Sequence, residues 1–337
     1  MGDARTKVAI VGTGAWWGRE HGRVFSARPD VELCAIVGRT RDKTEARAAE
    51  FRTRAYIDLG EMLERERPDL VSLCLPNEGH FEPTLAVIRA GVPLFVEKPL
   101  VFDLAEADTL LAEAAERSLF FGINFNHRWA RPVAMAAEAI RAGELGQITF
   151  ATWRFGGEPG TSASAQANLI ETQCHGLDML EHLCGPIDSV MAQMTDMTGR
   201  GWSTMAIALH FASGAVGSLV GSYDSSYAYP GTHQVEVNGL EGRVLIEDTV
   251  RRYTFTRAGS ETSSVWQAGY FNDVDREFHR TFDKHLDDVL AAFAAGHEPP
   301  VHARAGRRAL ALAVAIERSF TTGTRVDTRP EVTGDST

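Results

Sequence analysis

Apolar positions in the first third of the chain fall into short runs separated by amphipathic stretches. The runs at 7–11, 32–37, 70–74, 93–96 and 120–123 are strand-sized and nearly continuous, as expected of strands covered on both faces. Between them, 18–27, 43–51, 59–65, 81–90 and 104–117 carry helical spacing. This alternation predicts βαβ units, an α/β fold built on a doubly wound parallel sheet. Gly91, just past the fourth helix, suits the left-handed residue that ends one.

Beyond residue 125 the rhythm changes. A helix over 132–142 leads into a strand at 147–155, an irregular small-residue loop over 156–168, and a helix over 169–184 ended by Gly185-Pro186. From 187 to 256 the pattern is one of consecutive strands, among them 206–211, 215–223, 234–238 and 243–247. Turn signals at Ser213-Gly214 and 239–242 join them into an antiparallel sheet. Helices over 275–295 and 303–319 close the pattern. The expected domains are therefore 1–124 and 125–337, with helix 303–319 a candidate to pack back on the first.

Composition narrows the function classes. The 337 residues suit two domains, and 44% hydrophobic with 23% charged residues is ordinary globular usage. A net charge of −11 and no basic stripe speak against nucleic acid as a partner. No apolar run approaches the roughly 18 residues of a membrane helix, and the first residues lack the apolar core of a signal peptide. Cys34, Cys74, Cys174 and Cys184 form no CxxC pair, so they read as apolar fillers in a reducing compartment and as no metal site. The expectation is a cytoplasmic protein without a membrane partner.

The first strand runs into Gly12-Thr13-Gly14-Ala15-Trp16-Trp17-Gly18, directly before the first helix. A glycine loop there lets backbone N–H groups and the helix dipole meet a pyrophosphate; a plain tight turn is the alternative. The spacing is one residue longer than the common GxGxxG. At the end of the second strand, Gly38-Arg39-Thr40-Arg41 stands where NAD enzymes place a carboxylate for the ribose hydroxyl. Arg39 can fork onto a 2′-phosphate, which favours NADP over NAD; a solvated surface turn is the bland reading.

Glu97-Lys98-Pro99 closes the strand at 93–96, so Lys98 sits where ligands of open α/β sheets bind. A cation there stabilises a developing alkoxide. Glu171, His175 and Asp178 fall at i, i+4 and i+7, one face of a helix, and an imidazole among carboxylates is a proton acceptor for alcohol oxidation. Taken singly, each is read as readily as a surface lysine or a solvated helix face. His279, His285, His297 and His302 show no ligand spacing.

In combination these residues resemble the glucose–fructose oxidoreductase / inositol dehydrogenase (Gfo/Idh/MocA) family over nearly the whole chain. The resemblance rests on the Gly12 loop with His21 in the next helix, Leu75-Pro76-Asn77 with His80, and Glu97-Lys98-Pro99. It continues through Asn124-Phe125-Asn126-His127-Arg128 and His175-x-x-Asp178 to the helix at 303–319 with Gly323. It implies a Rossmann domain followed by an α/β domain with a large, open, mostly antiparallel sheet. It implies hydride exchange between a nicotinamide and a carbinol or ketone carbon of a sugar, sugar derivative or cyclitol. By resemblance Lys98 and His175 are catalytic, with Glu171 where many members carry Asp. Gly12 to Trp17, Arg39, Thr40, Pro76, Asn77, His80, Glu97 and Lys98 lie along the cofactor, and Asn126, His127, Arg128 and Asp178 on the substrate side. It also implies a cis Lys98-Pro99 bond.

The chain is accordingly expected to be an NADP-dependent (alternatively NAD-dependent) dehydrogenase or reductase, as a homodimer or homotetramer. A glycosidase that oxidises its substrate transiently on a retained cofactor is the enzymatic alternative. A dinucleotide-binding regulator without catalysis is the other, and the joint presence of Lys98 and His175 counts against it. Loops at 155–168, 223–233 and 266–272 are the expected seat of specificity.

Overall fold

A computed structural model describes residues 5–76, 79–157, 165–199, 201–226 and 228–329. Within it the chain divides into two compact units, Met1–Asn124 with Asp283–Leu310, and Phe125–Phe282 with Ala311–Thr337. The first boundary falls where the sequence pattern changes. Residues 283–310, expected in the second domain apart from the candidate helix 303–319, cluster with the first unit.

The first unit carries β1 (Thr6–Val11), α1 (Trp17–Ser26), β2 (Val31–Val37), α2 (Arg41–Glu50), β3 (Arg54–Tyr56), α3 (Leu59–Glu66) and β4 (Leu70–Leu73). It continues with α4 (Phe81–Arg89), β5 (Leu94–Glu97), α5 (Leu104–Glu116) and β6 (Phe121–Asn124). All six strands are parallel, in the order β3-β2-β1-β4-β5-β6. The order reverses between β1 and β4, and ligands of such sheets bind outside the strand ends at that switch. Strands β4, β5 and β6 are buried along their whole length, which is why each reads as an unbroken apolar run. The three-residue edge strand β3 has only Tyr56 buried and left no pattern to find.

The second unit begins with a 3₁₀ turn (Asn126–Trp129), α6 (Arg131–Arg141) and β7 (Ile148–Gly156). The helix expected over 169–184 is broken. A π-helical turn occupies Asn168–Thr172, and a regular helix, α7, spans Cys174–Cys184. Then follow β8 (Ile187–Thr195), β9 (Thr204–Phe211), β10 (Val216–Ser222), β11 (Gln234–Gly239), β12 (Gly242–Glu247), β13 (Arg252–Arg257) and β14 (Ser264–Gln267). The helix expected over 275–295 is divided into a single turn, α8 (Asp273–Arg276), and α9 (His279–Ala294); α10 (Arg304–Thr322) and β15 (Val326–Asp327) complete the elements.

The nine-stranded sheet has the order β14-β13-β12-β11-β7-β10-β9-β8-β15. Every pair is antiparallel except β7 and β10, which run parallel. Residues 264–267, which overlap the loop expected at 266–272, pair with β13 as an edge strand. Alternate residues of β9 (Met205, Ile207, Leu209 and Phe211) are buried, while Phe150, Met191, Val216 and Val220 leave apolar side chains exposed. Among the described residues no helix is long and apolar enough to cross a membrane.

Candidate active site

In the first unit the glycine loop is shaped by contacts only hydrogen can satisfy. Gly12 has φ +137, and a Cβ there would lie 2.2 Å from the Cys74 carbonyl oxygen. A Cβ on Gly18 would stand 3.1 Å from the Gly12 oxygen, so α1 starts pressed against the loop, whereas one on Gly14 would make only an ordinary contact, 3.8 Å from the Gly18 nitrogen. The extra loop residue is absorbed before the helix, which begins at Trp17 without a side-chain cap on its first turn. The cradle and the uncapped amino end fit a dinucleotide pyrophosphate, with Gly12, Thr13, Gly14, Ala15, Trp16 and Trp17 the residues that would hold it. Glu50 joins Arg19, 2.7 Å away, to Arg47, whose Nη2 is 3.4 Å from the Gly14 carbonyl. These arginines join α1 to α2 and reach back to the glycine loop, and had no motif to announce them.

At the end of β2, Gly38 is packed so closely that a Cβ would meet Thr44 Oγ1 at 2.4 Å. Arg39 and Thr40 stand exposed beyond it. Thr40 opens α2, its carbonyl accepting from Thr44 N at 3.0 Å and Oγ1 at 2.8 Å.

After β4, Pro76 is exposed; Asn77 lies outside the described residues. His80 is buried, Nε2 3.0 Å from the Leu75 carbonyl. Burial pushes its pKa below the ordinary value, against the hydrogen bond to Leu75. Lys98 is half-buried at the end of β5, and the Lys98-Pro99 bond is cis, as the resemblance implies. Glu97 turns its carboxylate inward. Oε1 accepts from His21 Nε2 at 2.9 Å and Asn124 Nδ2 at 2.7 Å, so this side chain is engaged within the unit.

In the second unit, His127 and His175 are buried and stacked, ring centroids 4.0 Å apart and planes 8° from parallel. Phe125 meets the His175 ring edge-on at 5.9 Å, and Phe278 meets His127 at 5.2 Å. Next to them stands His233, whose ring lies 5.6 Å from His127, 4.7 Å from Trp153 and 4.4 Å from Phe155. Burial, then the neighbouring His127, hold His233 well below the ordinary histidine pKa. The sequence marked His233 only as the end of a loop.

The π-turn changes the reading of the helix face. Glu171 is buried in that turn and His175 in α7, so the regular i, i+4 relation does not hold between them. A thread of polar side chains fastens the turn. Trp153 Nε1 donates to Gln173 Oε1 at 3.0 Å, Gln173 Nε2 to Tyr223 Oη at 3.1 Å, and Tyr223 to the Asn168 carbonyl at 2.9 Å. Asn126 donates to Thr281 Oγ1 at 2.7 Å. Arg128 and Asp178, implied as substrate-side groups, bind each other in a two-pronged ion pair, Nε to Oδ2 at 2.9 Å and Nη2 to Oδ1. Burial works to raise the Asp178 pKa and the guanidinium opposes it.

The sheet order and glycine cradle are those of a dinucleotide-binding Rossmann unit. The chain matches the family described as "Oxidoreductase family, NAD-binding Rossmann fold" over residues 6–125, and "Oxidoreductase family, C-terminal alpha/beta domain" over 137–328. It belongs to the Gfo/Idh/MocA oxidoreductase family. It is similar to the myo-inositol 2-dehydrogenase of Thermotoga maritima, 25% identical over 93% of this chain and 96% of that protein. It is also similar to the 2,7-anhydro-N-acetylneuraminate hydratase of Mediterraneibacter gnavus, 23% identical over 87% and 80%. A solved levoglucosan dehydrogenase in complex with NADH and levoglucosan shares the fold, with TM-score 0.87, 18% identity, and 97% of this chain and 100% of that one covered.

Proposed function

We propose that this oxidoreductase acts on a secondary hydroxyl of a sugar, sugar derivative or cyclitol, with NADP(H) preferred over NAD(H). The observation that carries the reading is Lys98 at the end of β5 in a parallel sheet of this order, within a chain that matches the family through both domains. When bound, the nicotinamide supplies the hydride acceptor or donor. His175 takes the hydroxyl proton, and the Lys98 ammonium stabilises the negative charge left on oxygen. Glu171 orients or relays behind His175. Asn126 and His127 meet the substrate, with Arg128 and Asp178 framing them. The NADP preference is supported by exposed Arg39 and Thr40 where a carboxylate would repel a 2′-phosphate.

The exposed Phe150, Val216 and Val220 support a homodimer or homotetramer built on the nine-stranded sheet. Four buried cysteines, none of them in a disulfide among the described residues, support a reducing, cytoplasmic setting.

The test is nicotinamide absorbance with NADP or NAD over a panel of sugars and cyclitols. Lys98→Met and His175→Ala should each lose about 10²–10⁴-fold in turnover, with cofactor titrations unchanged in His175→Ala. Full activity in both variants, or no turnover of any carbinol, overturns the reading. The hydratase relative supports a second one: transient oxidation on a retained cofactor. It predicts product without net change in absorbance, and cofactor still bound after purification.

A further inference from the structure

Five polar side chains of the first unit meet in an almost dry interior. His21 on α1, Ser72 on β4, Glu97 on β5, Asn124 on β6 and His285 on α9 are each no more than 2% exposed. They form one chain of hydrogen bonds. His21 Nδ1 lies 2.7 Å from Ser72 Oγ, and Glu97 Oε1 accepts from His21 and Asn124 as described above. Asn124 Oδ1 lies 2.9 Å from His285 Nδ1. Since the Asn124 amide nitrogen is used on Glu97, its oxygen accepts, which makes His285 Nδ1 a donor. Glu97 Oε2 finds no hydrogen-bond partner among the described residues. A buried carboxylate with one oxygen unsatisfied is expensive, so its retention asks for a reason.

Geometry supplies one. Successive side chains of a strand point to opposite faces, so a Glu97 held inward presents Lys98 outward. Phe95, two residues earlier on the Glu97 face, has the His285 ring edge-on at 5.2 Å and the His21 ring at 6.3 Å. Two histidines from two helices therefore bracket the end of β5. The helix carrying His285 is itself tied to α1 through Arg23 with Asp283, and to the turn just after α1 through Arg28 with Asp287. Sequence reading set His285 aside for want of a ligand spacing; its work is done through Asn124.

We propose that His285, with Asn124, is a positioning residue for Lys98: the two hold the Glu97 carboxylate and so fix the strand end from which the lysine reaches the reacting oxygen. The proposal rests on the reading of Lys98 as catalytic. Misplacing such a group by about 1 Å can cost 10²-fold.

The experiment is a double-mutant cycle between His285→Leu and Lys98→Met in the full chain, on the substrate found in the panel above. His285→Leu should lower kcat by about ten- to a hundredfold, with KM and the NADPH Kd within about twofold of the parent. His285→Gln, which keeps an N–H donor, should recover most of the loss. In the Lys98→Met background His285→Leu should add almost nothing, because the group it positions is gone. A loss of the same size in that background, an unchanged kcat in His285→Leu alone, or no rescue by glutamine overturns the proposal. Full activity in Lys98→Met would instead overturn the reading on which it rests. If His285→Leu does not fold, Glu97→Gln replaces it in the cycle: a kcat loss that vanishes in the Lys98→Met background supports the proposal, and one that persists there overturns it.

Discussion

The imidazoles of His127 and His175 lie face to face, 4.0 Å between centroids, though the residues are 48 positions apart (175 − 127). One comes from the 3₁₀ turn after β6, the other from the first turn of α7. The His175 ring is packed between His127 on its face and Phe125 at its edge, which holds it against rotation.

His175→Ala should therefore reduce turnover by about 10²–10⁴-fold, and His127→Phe, which keeps the stack but loses the nitrogens, by a smaller factor. Glu171→Gln should fall below His175→Ala if the carboxylate only orients the ring, and match it if it relays the proton. Steady-state kinetics on the three variants decides this. Near-parent activity in His175→Ala would make the stack structural.

Cofactor choice turns on the end of β2. Fluorescence titration should show NADPH bound more tightly than NADH, and Arg39→Ala should narrow the gap by weakening NADPH alone. The expected change is about tenfold, the scale of a lost charge-assisted hydrogen bond. Equal affinities in the parent protein would refute the preference.

The Arg128–Asp178 pair is buried and two-pronged, with side-chain exposures of 20% and 4%. Removing one partner strands the other charge. Asp178→Ala should lower the unfolding free energy by about 3–5 kcal/mol in urea melts, while a paired replacement by apolar residues of similar volume should restore much of it. A loss under about 1 kcal/mol in the single variant would mean that water already reaches the pair.

His233 gives a pH prediction. Burial, assisted by His127, depresses its pKa in the fold, so between the ordinary value near 6.5 and the depressed one only the unfolded chain binds the proton. The stability it supports is present above about pH 6.5 and is lost as the pH falls below it. Urea midpoints measured from pH 7.5 to 5 should decline, and His233→Gln should flatten that decline. His80 is depressed by burial in the same direction and should leave a residual slope. An unchanged slope in His233→Gln would show that another group is responsible.

The sequence by itself determined the layers and most of their boundaries. Local periodicity is enough to find strands buried on both faces and helices between them. The glycine loop between β1 and α1 and the arginines after β2 are read directly. What periodicity could not register was a three-residue edge strand with one buried side chain, and the π-turn. That turn is set by Trp153, Gln173 and Tyr223, which lie up to 70 positions apart (223 − 153), through hydrogen bonds no local pattern encodes. The same holds for the ion pair of Arg128 with Asp178, the placing of His233 beside His127, and the joining of 283–310 to the first unit. His285 is the sharpest instance. In the sequence it is one histidine on an amphipathic helix; in the fold it is fully buried 161 positions from Asn124, which it bonds. Desolvation makes that partner obligatory, and only the tertiary structure decides which partner it is.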